Sequence, residues 1–185
     1  MIKNYYRVLG LSDNAEDVVI RAAFKLLAHR HHPDKCLEDP TIANQRMAQI
    51  NESHNTLSDI TLKAAYDTKR GSYNTAEPSD FYQILGVLDN VDTAMIQTAY
   101  KALSKKYQQL TDPTLNEKQL IQINQAYQVL ADPTKRRAYD LQQKASSYLT
   151  LSNQGKGLSL WKIYGAYIVI FYIFFTIIYL LLSAP

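Results

Sequence analysis

Two stretches of the chain carry one hydrophobic pattern. Ile20, Ala23, Phe24, Leu27 and Ala28 stand at i, i+3, i+4, i+7 and i+8, and Ile96, Ala99, Tyr100, Leu103 and Ser104 hold the same places 76 residues later. That spacing predicts one amphipathic helix in each stretch. A second apolar periodicity follows in both: Met47, Ile50 and Leu57, then Leu120, Ile123, Ala126, Tyr127 and Leu130. Asp132-Pro133 ends the latter helix, because the residue before proline avoids helical geometry. Asp92 reads as the N-cap of the long helix in the second stretch. Each pair of long helices predicts an antiparallel hairpin, with short helices at "YYRVLG" and "LKAAYD" across its open side. No alternating strand pattern is present, so the fold class is all-α.

The pattern is a true internal repeat. "NYYRVLGL" at 4–11 aligns with "DFYQILGV" at 80–87, and "VVIRAAFKLLAHRHHPDK" at 18–35 with "AMIQTAYKALSKKYQQLT" at 94–111. "AQINESHNTLSD" at 48–59 aligns with "IQINQAYQVLAD" at 121–132, now offset by 73. Three residues are therefore missing from the second copy between its long helices, where a loop absorbs the deletion. The expected organisation is a first unit at 1–70, a linker at 71–78, a second unit at 79–141 and a further linker at 142–160.

The C-terminal pattern has no polar face. Ile163 to Leu182 is a run of twenty uncharged residues, "IYGAYIVIFYIFFTIIYLLL". At 1.5 Å per residue it spans about 30 Å, the thickness of a bilayer core. With Trp161 and Tyr164 as interfacial aromatics, 161–183 is expected to be a transmembrane helix. Lys156 and Lys162 precede it, and the positive-inside rule then places the head in the cytosol, at a bacterial inner membrane or a cytosol-facing organelle membrane. The N-terminus lacks the features of a signal peptide. Gly165, Tyr172, Thr176, Tyr179 and Ser183 fall on one stripe of this helix, which is either a homo-oligomer contact or a set of scattered, tolerated polar residues.

Composition changes this picture little. The net charge of +3 is mildly basic, and nucleic-acid binding does not follow from it. The single cysteine, Cys36, excludes an intrachain disulfide and a cysteine-based zinc site.

The four ordered motifs of the first copy, "NYYRVLGL", "IRAAFKLLAHRHHPDK", "INESHNTLSD" and "AAYD", resemble a J domain of the DnaJ family. "DFYQILGV", "IQTAYKALSKKY" and "INQAYQVLADPTKRRAYD" resemble a second. The resemblance covers residues 3–69 and 79–141. It implies two tandem four-helix J domains. It also implies a docking site for a DnaK-type chaperone, made by His32-Pro33-Asp34 and the basic second helix, whose engagement stimulates the chaperone's ATPase. Two departures stand out. The first copy has Ser53-His54 where the family has Ala-Tyr, and the second has Gln108-Gln109-Leu110 in place of the tripeptide. Neither copy is followed by a Gly/Phe-rich or cysteine-rich region.

The residues themselves fit a docking site. Arg21, Lys25 and His29 stand at i, i+4 and i+8, opposite Phe24 and Leu27, and Arg30 and Lys35 extend the positive field toward the loop. Such a stripe steers an acidic partner, although taken alone it also describes a solvated helix face. Pro33 stops the helix and turns the chain at His32. Asp34 is then a carboxylate on an exposed bend, able to pair with a partner's arginine. His32 either holds the bend or touches the partner.

His29, His31, His32, Asp34 and Cys36 crowd together, but their spacing suits no standard metal site, and no metal or cofactor is expected. No phosphate loop, nucleophile motif or carboxylate pair suggests an enzyme. In the second copy Gln109 restores an N–H, so the helix is free to run on, and Leu110 removes the acidic group. That copy is expected to fold without stimulating ATPase, as a spacer or structural partner of the first or as a non-activating binder. The chain as a whole reads as a membrane-anchored co-chaperone, with a non-activating membrane scaffold or decoy as the rival.

Overall fold

A computed structural model of the chain describes residues 3–32, 39–71, 80–110 and 113–146. The chain divides into two compact units, Met1–Arg136 and Arg137–Pro185, and the first contains nearly all of both repeats. Its helices are α1 (Tyr5–Val8), α2 (Asp17–Arg30), α3 (Pro40–Ser58) and α4 (Ile60–Arg70) in copy one. Copy two supplies α5 (Phe81–Leu85), α6 (Thr93–Gln108) and α7 (Pro113–Leu130), and a further helical segment, α8, runs over 133–146. Among the described residues the β-type pairing is a single isolated bridge, between Leu11 and Val87.

Short polar side chains set the helix boundaries. Asn4, Asp80 and Asp92 each accept a hydrogen bond from a backbone N–H in the first turn of the helix they precede, satisfying donors that have no partner within the helix. Asp59 ends α3 and also caps α4, accepting from Thr61 N and Leu62 N at 2.8 and 2.9 Å. Its counterpart Asp132 accepts from Thr134 N and Lys135 N, and these bonds hold its carboxyl below the usual carboxylate range. The expected stop at Asp132-Pro133 is present, with α7 ending at Leu130.

The hairpins form as the periodicity predicts. α2 packs on α3 and α6 on α7, and Ile20, Ala23, Ile50 and Leu57 are buried, as are Ile96, Ala99, Leu103, Ile123, Ala126 and Leu130. Phe24, Leu27, Ala28 and Met47 are only half-buried. The His54 departure is structurally conservative. Its ring stacks on Phe24 at 3.9 Å, as the Tyr127 ring stacks on Tyr100 at 4.0 Å. Ser53 takes the fully buried place of Ala126 by donating its hydroxyl to Gln49 O at 2.8 Å.

α4 closes copy one over α1. The Tyr66 hydroxyl accepts from Tyr5 N and donates to Lys3 O, and Lys63 reaches Asp17 at the start of α2. In copy two Arg136 donates to the Tyr82 hydroxyl and to the carbonyls of Asp89 and Val91, bracing the segment before α6.

The two copies are packed together, α2 lying along α6. The contact has a local two-fold character. Ser12 N donates to Gly86 O, and Leu88 N donates to Gly10 O. Glu16 pairs with Lys106, and Asp92 with Arg30. A Cβ on Gly10 would lie 3.1 Å from Val91, and a Cβ on Gly86 would lie 3.1 Å from Ala15. Adding 76 to the copy-one member of each pair and subtracting 76 from its copy-two member gives the other pair. The same patch on each copy therefore faces its equivalent, as in an isologous dimer, and the two helices run antiparallel.

No helix among the described residues is long and apolar enough to cross a membrane. The expected span at 161–183, its polar stripe from Gly165 to Ser183, and most of both linkers lie outside the described residues.

Candidate docking site on α2

The expected site splits between described and undescribed residues. Pro33, Asp34 and Lys35 lie outside the described part, while Arg21, Lys25, His29, Arg30 and His32 lie within it. Arg21, Lys25 and His29 occupy successive turns of α2 and are exposed, as the helical spacing requires. His32 follows the helix and is also exposed. His31 ends α2, its N–H bonded to Leu27 O at 2.8 Å. Its φ of −104° takes the chain out of helical geometry one residue before the tripeptide begins.

The face has a rigid backing. The Phe24–His54 stack fixes α3 behind α2. Burial is the main influence holding the His54 pKa below its ordinary 6.5, and the nearby Arg21 charge adds to it. A neutral imidazole at this point leaves the positive charge of the face on Arg21 and Lys25.

Arg30 is placed differently. It pairs with Asp92, the N-cap of α6, at 2.8 Å, with both side chains partly exposed. Sequence spacing alone grouped it with the exposed stripe, whereas the fold directs it to the second copy. The equivalent end of α6 is held more firmly. Lys106 and the Tyr107 hydroxyl both bond to the Glu16 carboxylate, and burial together with that bond pushes the Tyr107 phenol well above its usual pKa. α6 also continues to Gln108, two residues past the position equivalent to Arg30. The run-on expected from losing the proline is therefore present, and it is short.

The inter-copy seam was missed in the sequence. Ala15, Val19, Met95, Leu11 and Val87 are buried, yet the hairpin periodicity leaves them unassigned. A signal was there. Val19, Ala22 and Leu26 form a second apolar stripe beside the hairpin stripe, and a helix with two apolar faces needs two neighbours. Among the described residues no three His, Cys, Asp or Glu side chains gather as a metal site.

The DnaJ domain family matches residues 4–67 and 80–140. Similar curated proteins include the "Chaperone protein DnaJ" of Caldicellulosiruptor saccharolyticus, 41% identical over 86 residues, which are 45% of this chain and 22% of that protein. The protein of the same name from Ruthia magnifica is 38% identical over 65 residues, 35% of this chain and 18% of the relative. That of Thermosipho melanesiensis is 40% identical over 65 residues, 35% and 17%. The matches span about a fifth of the length of these relatives. No solved structure matches.

Proposed function

This chain belongs to the DnaJ domain family, and from that premise we propose that it is a membrane-anchored co-chaperone whose first copy docks on a DnaK-type chaperone and stimulates its ATPase. The observation that carries the reading is the exposed Arg21–Lys25–His29 stripe on α2, leading directly into His32-Pro33-Asp34. A basic stripe raises encounter rate and fixes register with an acidic surface. A proline-fixed carboxylate adjoining it supplies a charge-assisted hydrogen bond to a partner's arginine. The apolar run at 163–182 supports anchoring, with the head in the cytosol.

The second copy acts in this proposal as the structural partner of the first. Its tripeptide position carries Gln108-Gln109-Leu110, and the residues just before it, Lys106 and Tyr107, are engaged by Glu16. The rival reading, a scaffold that binds without activating, draws on the same packing.

Single-turnover ATPase of a DnaK-type chaperone, with the full-length protein in detergent, separates the two. Stimulation that falls to the basal rate in His32→Gln and in Asp34→Asn is the expected result. A wild-type protein that binds the chaperone and leaves its ATPase unchanged would establish the scaffold instead. Retention in the membrane pellet after an alkaline wash, lost when 161–183 is deleted, tests the anchor.

A further inference from the structure

Antiparallel packing of α2 on α6 creates a groove that neither copy has alone. It has a volume of about 490 Å³. Its apolar lining comes from Val18 and Ala22 on one side and Ala102 and Leu110 on the other. Arg21 and Lys25 stand on the α2 rim, with Lys105 and Lys106 on the α6 rim. Lys106 is partly neutralised by Glu16, while Arg21, Lys25 and Lys105 are exposed. Leu110, which stands where copy one has the acidic residue of its tripeptide, is 42% exposed at one end.

Two independent features converge here. The first is charge: the rims contribute cations from both helices, and no acidic side chain is among the lining residues. The second is shape. From Val18 to Lys25 the groove follows about 10 Å of helix, roughly two turns. A flat membrane surface meets the crests of such a pair and leaves the apolar floor empty. A slender segment fills it, in the manner of a helix laid in a groove with anchors at i, i+3 or i+4 and i+7.

We propose that this groove binds an acidic amphipathic peptide segment of a protein partner. Acidic side chains of the segment meet Arg21, Lys25 and Lys105, and its apolar face rests on Val18, Ala22, Ala102 and Leu110. The substitution of Leu for the acidic residue in copy two then has a use: it supplies an apolar anchor where a carboxylate would repel the ligand. Because Arg21 and Lys25 also belong to the proposed chaperone-docking stripe, an occupied groove competes with docking. Peptide binding itself does not rest on that reading.

The test is fluorescence anisotropy of the full-length protein in detergent with a labelled peptide of about fifteen residues. The peptide carries glutamates on one face and leucines on the other. Saturable binding that weakens as salt rises is expected. Lys105→Glu should weaken it about tenfold by placing like charge against the ligand. Leu110→Ser should weaken it about fivefold through lost apolar contact. Both positions are exposed, and Lys105→Gln, expected to fall between wild type and Lys105→Glu, guards against a folding defect. Equal binding of a peptide with every Glu changed to Gln would overturn the proposal. So would wild-type affinity in both variants, or binding to phosphatidylserine vesicles without binding to the peptide. Absence of peptide binding alongside normal ATPase stimulation would sink this inference and leave the co-chaperone reading standing.

Discussion

The two copies use one fold and treat the end of the second helix differently. In copy one, α2 stops at Arg30, and His31 leaves helical geometry just before His32-Pro33-Asp34 in the sequence. In copy two, α6 runs to Gln108, and its last turn is tied down by Glu16 through Lys106 and Tyr107. The cores around both are largely alike: the ring stacks, the capping Asp59 and Asp132, and the buried pairs Ile20 and Ile96, Ala23 and Ala99, Ile50 and Ile123, Leu57 and Leu130 correspond. The residues that stand at that position are therefore separable from the packing of the core. Copy two carries Gln108-Gln109-Leu110 at that position, and Lys106 and Tyr107 just before it bond to Glu16 of the other copy.

Substitutions at equivalent positions sharpen this contrast. Leu103 is 2% exposed, whereas its counterpart Leu27 is half-buried. Leu103→Ala should destabilise by about 2–5 kcal/mol and Leu27→Ala by clearly less; denaturant melts of the two variants compare them directly. Equal losses would mean that the copies contribute equally at this level of the core.

Gly86 and Gly71 form the next comparison. Both have φ of +70°, but a Cβ on Gly86 would lie 3.1 Å from Ala15 Cα, and one on Gly71 meets nothing within 4 Å. Gly71→Ala should cost about 1 kcal/mol for the left-handed backbone alone. Gly86→Ala should cost roughly twice that, because the neighbour is backbone of the other copy. Identical shifts in melting temperature would show that the seam yields at this point.

The two ends of the seam differ by less. Glu16→Gln removes the charge that serves both Lys106 and Tyr107 and should cost about 1 kcal/mol. Asp92→Asn keeps a competent cap for α6, so it isolates the Arg30 pair, and a few tenths of a kcal/mol is expected. High salt should shrink both effects. An Asp92→Asn loss larger than the Glu16→Gln loss would reverse the assignment of the firmer end.

The smallest effect concerns pH. Burial lowers the His54 pKa, so folding favours the neutral ring. The stability this represents is complete above the ordinary His value of 6.5 and is lost as pH falls through the folded-state pKa. His54→Tyr, which copies the stack of copy two, should flatten the melting temperature between pH 7 and roughly pH 5. A slope unchanged by that substitution would place its source elsewhere.

Periodicity made the hairpins legible because a 3.6-residue stripe has one physical meaning in a small helical unit. The caps at Asp92 and Asp132 were legible because short polar side chains compete for unpaired backbone donors. The basic stripe of Arg21, Lys25 and His29 was legible from i, i+4 spacing. Arg30 was not, because its partner Asp92 is 62 residues away and only the packing of one copy on the other brings them together. The seam itself escaped for the same reason. Val19 and Met95 each look like spare apolar residues until their helices are set antiparallel. His54 read as a departure from its family, although its ring does the same mechanical work as a tyrosine.

The self-matching seam also bears on concentration. Two identical patches on separate chains would associate and dissociate with dilution, and the weak, partly exposed ion pairs at the ends of this one would do little to prevent it. Here a short tether between Gly71 and Asp80 makes the encounter intramolecular. Tethers of that length set effective concentrations in the millimolar range. The population of the contact thus becomes independent of expression level, and the pair is always present in a ratio of one to one.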